Sequence, residues 1–279
     1  MKKIDIRLEI TQSEVVKPER ATAYSAGYDV YAPLTIRIPP FAFYTLELPF
    51  LFTYNHLIPN ETTFLFTPRS SYGIKKKLRL IDVDSRFIAN FKYNDISKCL
   101  VVYLYNDSPE ELIIPKNEHF LQFILTKEED KWLPVTFKSV SSSTKERYIP
   151  FPGYMQEKNN EYDWILEEDL FIHPKEQVVL STGYKASFNH GAWLTTTIHP
   201  SYCSRVVFAN GTPVIDADYY DNEENEGLIF LAFVNISEQP LVIPKETAVC
   251  SFHASPFYLL SDDEGSNIVR TGGIGHTSL

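Results

Sequence analysis

The sequence predicts an all-β fold of two tandem domains, and four observations carry that prediction. Short runs rich in β-branched and aromatic residues recur along the chain, at Thr62 to Thr67, Lys98 to Tyr105, Ala192 to Ile198 and Leu228 to Val234. Aromatic residues make up 14% of the chain and 18 prolines punctuate it, while no segment keeps helical apolar spacing over three turns. A length of 279 residues corresponds to about two domains at roughly 150 residues each. Finally, the two halves repeat each other.

The repeat is read from ordered matches. Asn106-Asp107-Ser108 and Ile113-Ile114-Pro115-Lys116 return as Asn235-Ile236-Ser237 and Val242-Ile243-Pro244-Lys245, at an offset of 129 residues. Upstream, Tyr28-Asp29, Pro40 and Ile81-Asp82-Val83-Asp84 return as Tyr162-Asp163, Pro174 and Ile215-Asp216-Ala217-Asp218, at 134. The five-residue change implies one length difference between matched blocks. Two copies are too few for a solenoid. The N-terminal decamer, Met1 to Ile10, alternates apolar and charged residues as a half-buried strand would. The expected boundaries are a first β-domain over 1–138, a linker over 139–160, a second β-domain over 161–260 and a tail over 261–279. The linker is read from Ser141-Ser142-Ser143, Pro150, Pro152, Gly153 and Asn159-Asn160.

Composition narrows the function. With 26 Lys and Arg against 36 Asp and Glu, the net charge of −10 argues against nucleic acid as partner. A local basic patch could still hold a small anion. Three scattered cysteines, Cys99, Cys203 and Cys250, provide neither a disulfide framework nor a CxxC motif. No apolar run approaches the ~20 residues of a membrane span, and the decamer cannot be a secretory core. The expectation is a soluble, cytoplasmic protein with no membrane partner; a nuclear place stays open for a eukaryotic or viral source.

Five short clusters could carry chemistry. Ala26 to Ala32 contains Gly27 and Asp29. Thr67 to Gly73 contains Arg69, Ser70 and Ser71 in a turn begun by Pro68, suited to phosphate oxygens, with Lys75, Lys76, Lys77 and Arg79 close behind. Alone, Pro-Arg-Ser is an ordinary surface turn and a lysine run an ordinary solvated face. Asn210 to Tyr219 places Asp216 and Asp218 two apart, on one side of a strand, so that one could serve as a general base. Asn117 to Phe123 offers Gln122 as an amide donor. The tail, Val269 to Ser278, holds Arg270 and glycines whose backbone amides can wrap an anion. The acidic stretch Asp221 to Glu226 is read as an exposed hairpin tip.

In this order the clusters resemble the motifs of the all-β dUTPases, in the duplicated, herpesvirus-type form of a family that is otherwise trimeric. The resemblance covers nearly all of both halves outside the linker. It implies that Asp29 holds water on a magnesium ion and that Arg69, Ser70, Ser71 and Gln122 bind phosphate. Asp216 would orient the attacking water, Tyr219 would pack under deoxyribose, and Asn210, Val214 and Ile215 would meet uracil within a Val206 to Asp216 hairpin. The lid would use Arg270, Gly273, Ile274, Gly275 and His276. Two departures stand out: Ile274 replaces the Phe that covers uracil, and Arg270 lies one residue nearer the glycines than usual.

The first half keeps motifs one, two and a trace of four, whereas Ser85 stands where its third motif would have Tyr. The second keeps motif three and the tail, while its second motif has become Pro200-Ser201-Tyr202-Cys203 and its fourth has lost the Gln. The resemblance therefore implies one composite site in a monomer, hydrolysing dUTP to dUMP and pyrophosphate with Mg2+. The alternatives are a non-catalytic nucleotide-sensing or partner-binding relative and a dCTP deaminase.

Overall fold

The computed structural model describes residues 1–53, 62–83, 100–127 and 132–272. Asp84, Ser85, Cys99, Gly273, Ile274, Gly275 and His276 lie outside the described residues. The chain divides into two compact units, each built almost wholly of strands. Among the described residues the first comprises 1–127 and 257–268, and the second 132–256 and 269–272.

In the first unit the strand His119–Lys127 is central. It runs antiparallel to Tyr28–Tyr31 on one side and Thr62–Pro68 on the other. A second sheet orders Phe43–Glu47, Val101–Asn106 and Leu78–Val83. Phe123 is fully buried and gathers the rings of Tyr28, Phe50, Phe52 and Phe66 at 5.1 to 6.1 Å between centroids. Each such buried ring contributes roughly 1.5–3 kcal/mol by leaving water. Tyr258 and Leu259 complete this unit, pairing in parallel with Lys2 and Lys3.

The second unit repeats the plan. Residues Ala248 to Pro256 pair with Glu161–Leu166 and with Ala192–Ile198, and Gln177–Ser181, Phe230–Asn235 and Val206–Phe208 form the second sheet. Trp164, Leu194, Leu231, Phe233 and Phe252 lie in its core. The duplication is visible in hydrogen bonds. The Asn106 amide donates to the carbonyls of Ile38 (3.0 Å) and Glu110 (2.7 Å) and accepts from the amide of Ser108 (3.1 Å). Asn235 does the same with Ile172 (3.1 Å), Gln239 (2.9 Å) and Ser237 (3.0 Å). Both side chains are fully buried, so their amide groups need these partners.

The expected strands are present with shifted ends, at Thr62–Pro68, Val101–Asn106, Ala192–Ile198 and Phe230–Asn235. The decamer is a strand only over Lys2–Lys3 and Arg7–Ile10, with Ile6 and Leu8 buried.

Three expectations need correction. Residues 139–160 are no free linker: they hold the helix Ser142–Arg147 and the strand Gly153–Lys158, which pairs with Glu161–Leu166. Gly153 packs so tightly on Trp164 that a Cβ would sit 2.7 Å from its indole nitrogen, and Phe151 meets the same indole edge-on. Polar, proline-rich composition hid this packing because few of its residues are apolar. Asp221 to Glu226 is an exposed tip only in part: Asp221, Glu223 and Glu224 are exposed, whereas Asn222 and Asn225 are buried under Tyr219. Val206–Phe208 and Ile215–Asp216 do not form a hairpin with each other. The first pairs with Phe230–Asn235 and the second with Trp193 and Leu194.

Candidate functional site

In the first unit, the antiparallel register brings three of the sequence clusters together. Gln122 lies opposite Asp29 on one side and Thr67 on the other, so Asp29 and Gln122 share a sheet face. Arg69 follows the end of its strand; its backbone amide donates to the carbonyl of Phe120 at 3.0 Å. Its guanidinium forms an ion pair with Asp29, and both side chains are more than nine-tenths buried. The next residues make one wide helical turn, Ser71–Lys75, which leaves Ser70 and Ser71 half-buried beside the arginine. Gly27 is there for room: a Cβ would meet the Gln122 side-chain oxygen at 2.6 Å.

His119, which the sequence reading did not single out, completes this cluster. Its Nδ1 lies 3.6 Å from the Asp29 carboxylate and its ring lies 5.9 Å from that of Tyr31. Burial, reinforced by the Arg69 charge, pushes the imidazole down to about 4, so it is neutral at pH 7. Two of the four residues of the basic run are committed elsewhere: Arg79 bonds Asp107 and the carbonyl of Gly73 (2.7 Å), and Lys76 lies 4.2 Å over the Tyr72 ring. A buried guanidinium beside an amide and two hydroxyls suits anionic oxygens.

The second unit assembles the other candidates. Asp216 ends the strand Ile215–Asp216, but Asp218 lies in the 3-10 turn Ala217–Tyr219 rather than on the strand. The turn nevertheless brings both carboxylates to one cation. Arg270 donates from Nη2 to Asp216 at 2.6 Å and from Nε to Asp218 at 3.1 Å. The same guanidinium lies 5.6 Å from the centroid of the Tyr219 ring. Burial works against the Arg270 charge, yet Asp216 and Asp218 raise its pKa above the ordinary value. Asn210 is buried nearby in sequence, whereas Val214 and Ile215 are half-buried.

Tyr219 is held from below. Its hydroxyl donates to the carbonyl of Leu228 (2.8 Å) and accepts from the Asn225 amide (2.9 Å). Asn222 and Asn225 were missed in the sequence because a polar, acidic stretch reads as solvated. Their only signal is the spacing of two asparagines ahead of Gly227.

The second copy of the phosphate-type cluster is stripped. Asp163 survives, but it accepts a 2.5 Å hydrogen bond from Ser251, which occupies the register of Gln122. His199 stands in the backbone position of Arg69, as its amide donates to the carbonyl of Val249 and Tyr202 donates back to it.

These geometries can be set beside known proteins. The family model described as dUTPase matches residues 13–153. The chain belongs to the dUTPase family. A deoxyuridine 5'-triphosphate nucleotidohydrolase of Lactococcus lactis is 32% identical over 141 residues, covering 50% of this chain and 94% of the relative. The Saccharomyces cerevisiae protein of the same name is 25% identical over 140 residues, covering 50% and 88%. The solved dUTPase of Streptococcus mutans is 27% identical, with a TM-score of 0.37, and covers 45% of this chain and 98% of that one. A single dUTPase-sized match thus spans half of the chain, consistent with the tandem plan.

Proposed function

We propose that this protein hydrolyses dUTP to dUMP and pyrophosphate, one nucleotide being served by groups from both halves. The observation that supports this is the complementary loss of motifs. The first unit keeps the Asp29, Arg69 and Gln122 cluster, and the second keeps Asp216, Tyr219 and Arg270. The second unit has no counterpart of Arg69 or Gln122, and the first has Ser85 in sequence where the second has Tyr219.

In this reading Arg69, Ser70, Ser71 and Gln122 bind the phosphate chain and concentrate positive potential on it. Asp216 takes the proton of a water that attacks the α-phosphorus. As the new P–O bond forms, the bond to the bridging oxygen breaks and its electron pair leaves with pyrophosphate. Tyr219 packs on the sugar and excludes a 2′-hydroxyl, while Asn210, Val214 and Ile215 meet the base. Arg270, which faces Asp216 and Tyr219, meets the triphosphate; the lid residues that the resemblance implies after it lie outside the described residues.

The residues present fit a magnesium ion held mainly by water and substrate. Asp29 offers one carboxylate, which would exchange part of its ion pair with Arg69 for the water shell of the ion. Mg2+ commonly uses one or two carboxylates together with phosphate oxygens. When bound, it would neutralise the triphosphate charge.

The test is product analysis of the purified chain with Mg2+ across dUTP, UTP, dTTP and dCTP, with native mass measured alongside. The expected result is pyrophosphate from dUTP by a monomer, and loss of turnover in Asp216→Asn with nucleotide binding retained. Nucleotide binding without pyrophosphate would replace this reading with a sensing role, and ammonia from dCTP with a deaminase.

A further inference from the structure

We propose that Asn225 is a specificity-determining positioning residue: by fixing the Tyr219 phenol it sets how strongly the site rejects a ribonucleotide. The inference rests on the dUTP reading above and deepens it. A ring that discriminates by excluding a single hydroxyl must be stiff, because a lean of about an ångström makes room for the extra atom. The stretch after Tyr219 is built to supply that stiffness.

Three features make the platform. Asn225 donates to the Tyr219 hydroxyl from one side while Leu228 accepts from the other, so the phenol oxygen cannot swing without breaking a buried bond. Asn225 is itself fixed: its side-chain oxygen accepts from Asn222 Nδ2 (2.8 Å) and from the Gly227 amide (3.0 Å). Asn222 also donates to the backbone carbonyl of Tyr219 at 2.8 Å. Gly227, at φ +83°, lets the loop fold tightly enough, for a Cβ there would lie 2.6 Å from that same carbonyl.

The loop is fastened at its far end as well. Glu226 accepts from the backbone amide of Ser141 (3.2 Å), from the Thr144 hydroxyl (2.5 Å) and from Lys185 (3.2 Å). Lys185 also pairs with Asp221. Asp221 and Glu226 thus serve as anchors, which leaves the two asparagines to define the floor beneath Tyr219. Burying two amides and a phenol together is costly unless every group is matched, and here the matches converge on Tyr219.

The experiment compares the full chain with Asn225→Asp and Tyr219→Phe. Asn225→Asp keeps the acceptors for Gly227 and Asn222 but removes the donor to the phenol. Tyr219→Phe keeps the ring and removes both phenol bonds, the one from Asn225 and the one to Leu228. The readouts are kcat/KM for dUTP and UTP, the affinities for non-hydrolysable analogues of both, and thermal stability. The expected result is a fall of about tenfold or more in preference for the deoxynucleotide, by improved use of the ribonucleotide, in each variant that stays folded. Should Asn225→Asp fail to fold, Tyr219→Phe carries the test alone. An unchanged preference in folded variants overturns the role of Asn225 while leaving dUTP hydrolysis intact. A wild-type chain that binds neither analogue overturns both.

Discussion

The Arg270 guanidinium and the Asp216 carboxylate form a 2.6 Å ion pair, with Asp218 on the same cation at 3.1 Å. All three side chains are about nine-tenths buried, so the pair is a structural contact of the second unit as well as a candidate part of its chemistry.

Arg270→Ala should cost stability, because two nearly buried carboxylates lose their shared counter-charge. Breaking such a pair costs roughly 3–5 kcal/mol when burial is complete, and that figure is the upper bound here. Urea denaturation of the full chain measures it. An unchanged midpoint would mean that the ion pairs form without contributing.

Gly27→Ala should leave folding nearly untouched and impair substrate use. The new methyl meets the end of the Gln122 side chain, which can turn away, rather than backbone. The expected result is a raised KM for dUTP, by several-fold, with a thermal midpoint within about 2 °C of wild type. A large drop in the midpoint would show that the strand cannot accept the methyl at all.

Asp263 anchors residues after the last strand to the first unit. Arg20 grips it twice, at 2.9 and 3.1 Å, and the Tyr28 hydroxyl donates to it at 2.5 Å. Burial opposes ionisation, yet Arg20 and Tyr28 together hold its carboxyl below the usual range. Asp263→Ala leaves Arg20 buried without its counter-charge, held only by the carbonyls of Thr22, Ala23 and Ser25, at a cost of at most about 3–5 kcal/mol. Hydrogen exchange should then rise over residues 260–268; protection equal to wild type would contradict the anchor.

Acid sensitivity should come partly from two histidines. Burial pushes His119 and His253 down to about 4, with Arg69 adding to the effect at His119. An unfolded chain takes up these protons near pH 6.5, the folded one only near pH 4. Their contribution to stability is therefore full above pH 6.5 and declines as pH falls toward 4. His253 stacks on Trp132 at 3.9 Å, so His253→Phe keeps a ring there and removes one titration. The stability of this variant should depend less steeply on pH between 6.5 and 4. Parallel curves for variant and wild type would exclude His253.

The candidate site was legible to the degree that its residue types are chemically unusual. Asp29, Arg69, Asp216 and Tyr219 sit in short, ordered clusters that stand out against a strand-rich background. Supporting residues were not legible. His119 looks like any strand residue until the register sets it against Tyr31, and Asn225 looks solvated until the chain folds under Tyr219. The segment 139–160 misled for the same reason, because its tight packing rests on a glycine rather than on a run of apolar residues.

The amino-acid order by itself determined the all-β class, the duplication and which half retained which motif, since periodicity and repetition are properties of one dimension. Only the tertiary structure decided the ion partners of Asp29 and Asp216, the change of Asp218 from strand to turn, and the burial of Asn222 and Asn225 within the acidic loop. Those depend on side chains far apart in the chain whose charges and amides are matched only once water has been excluded around them.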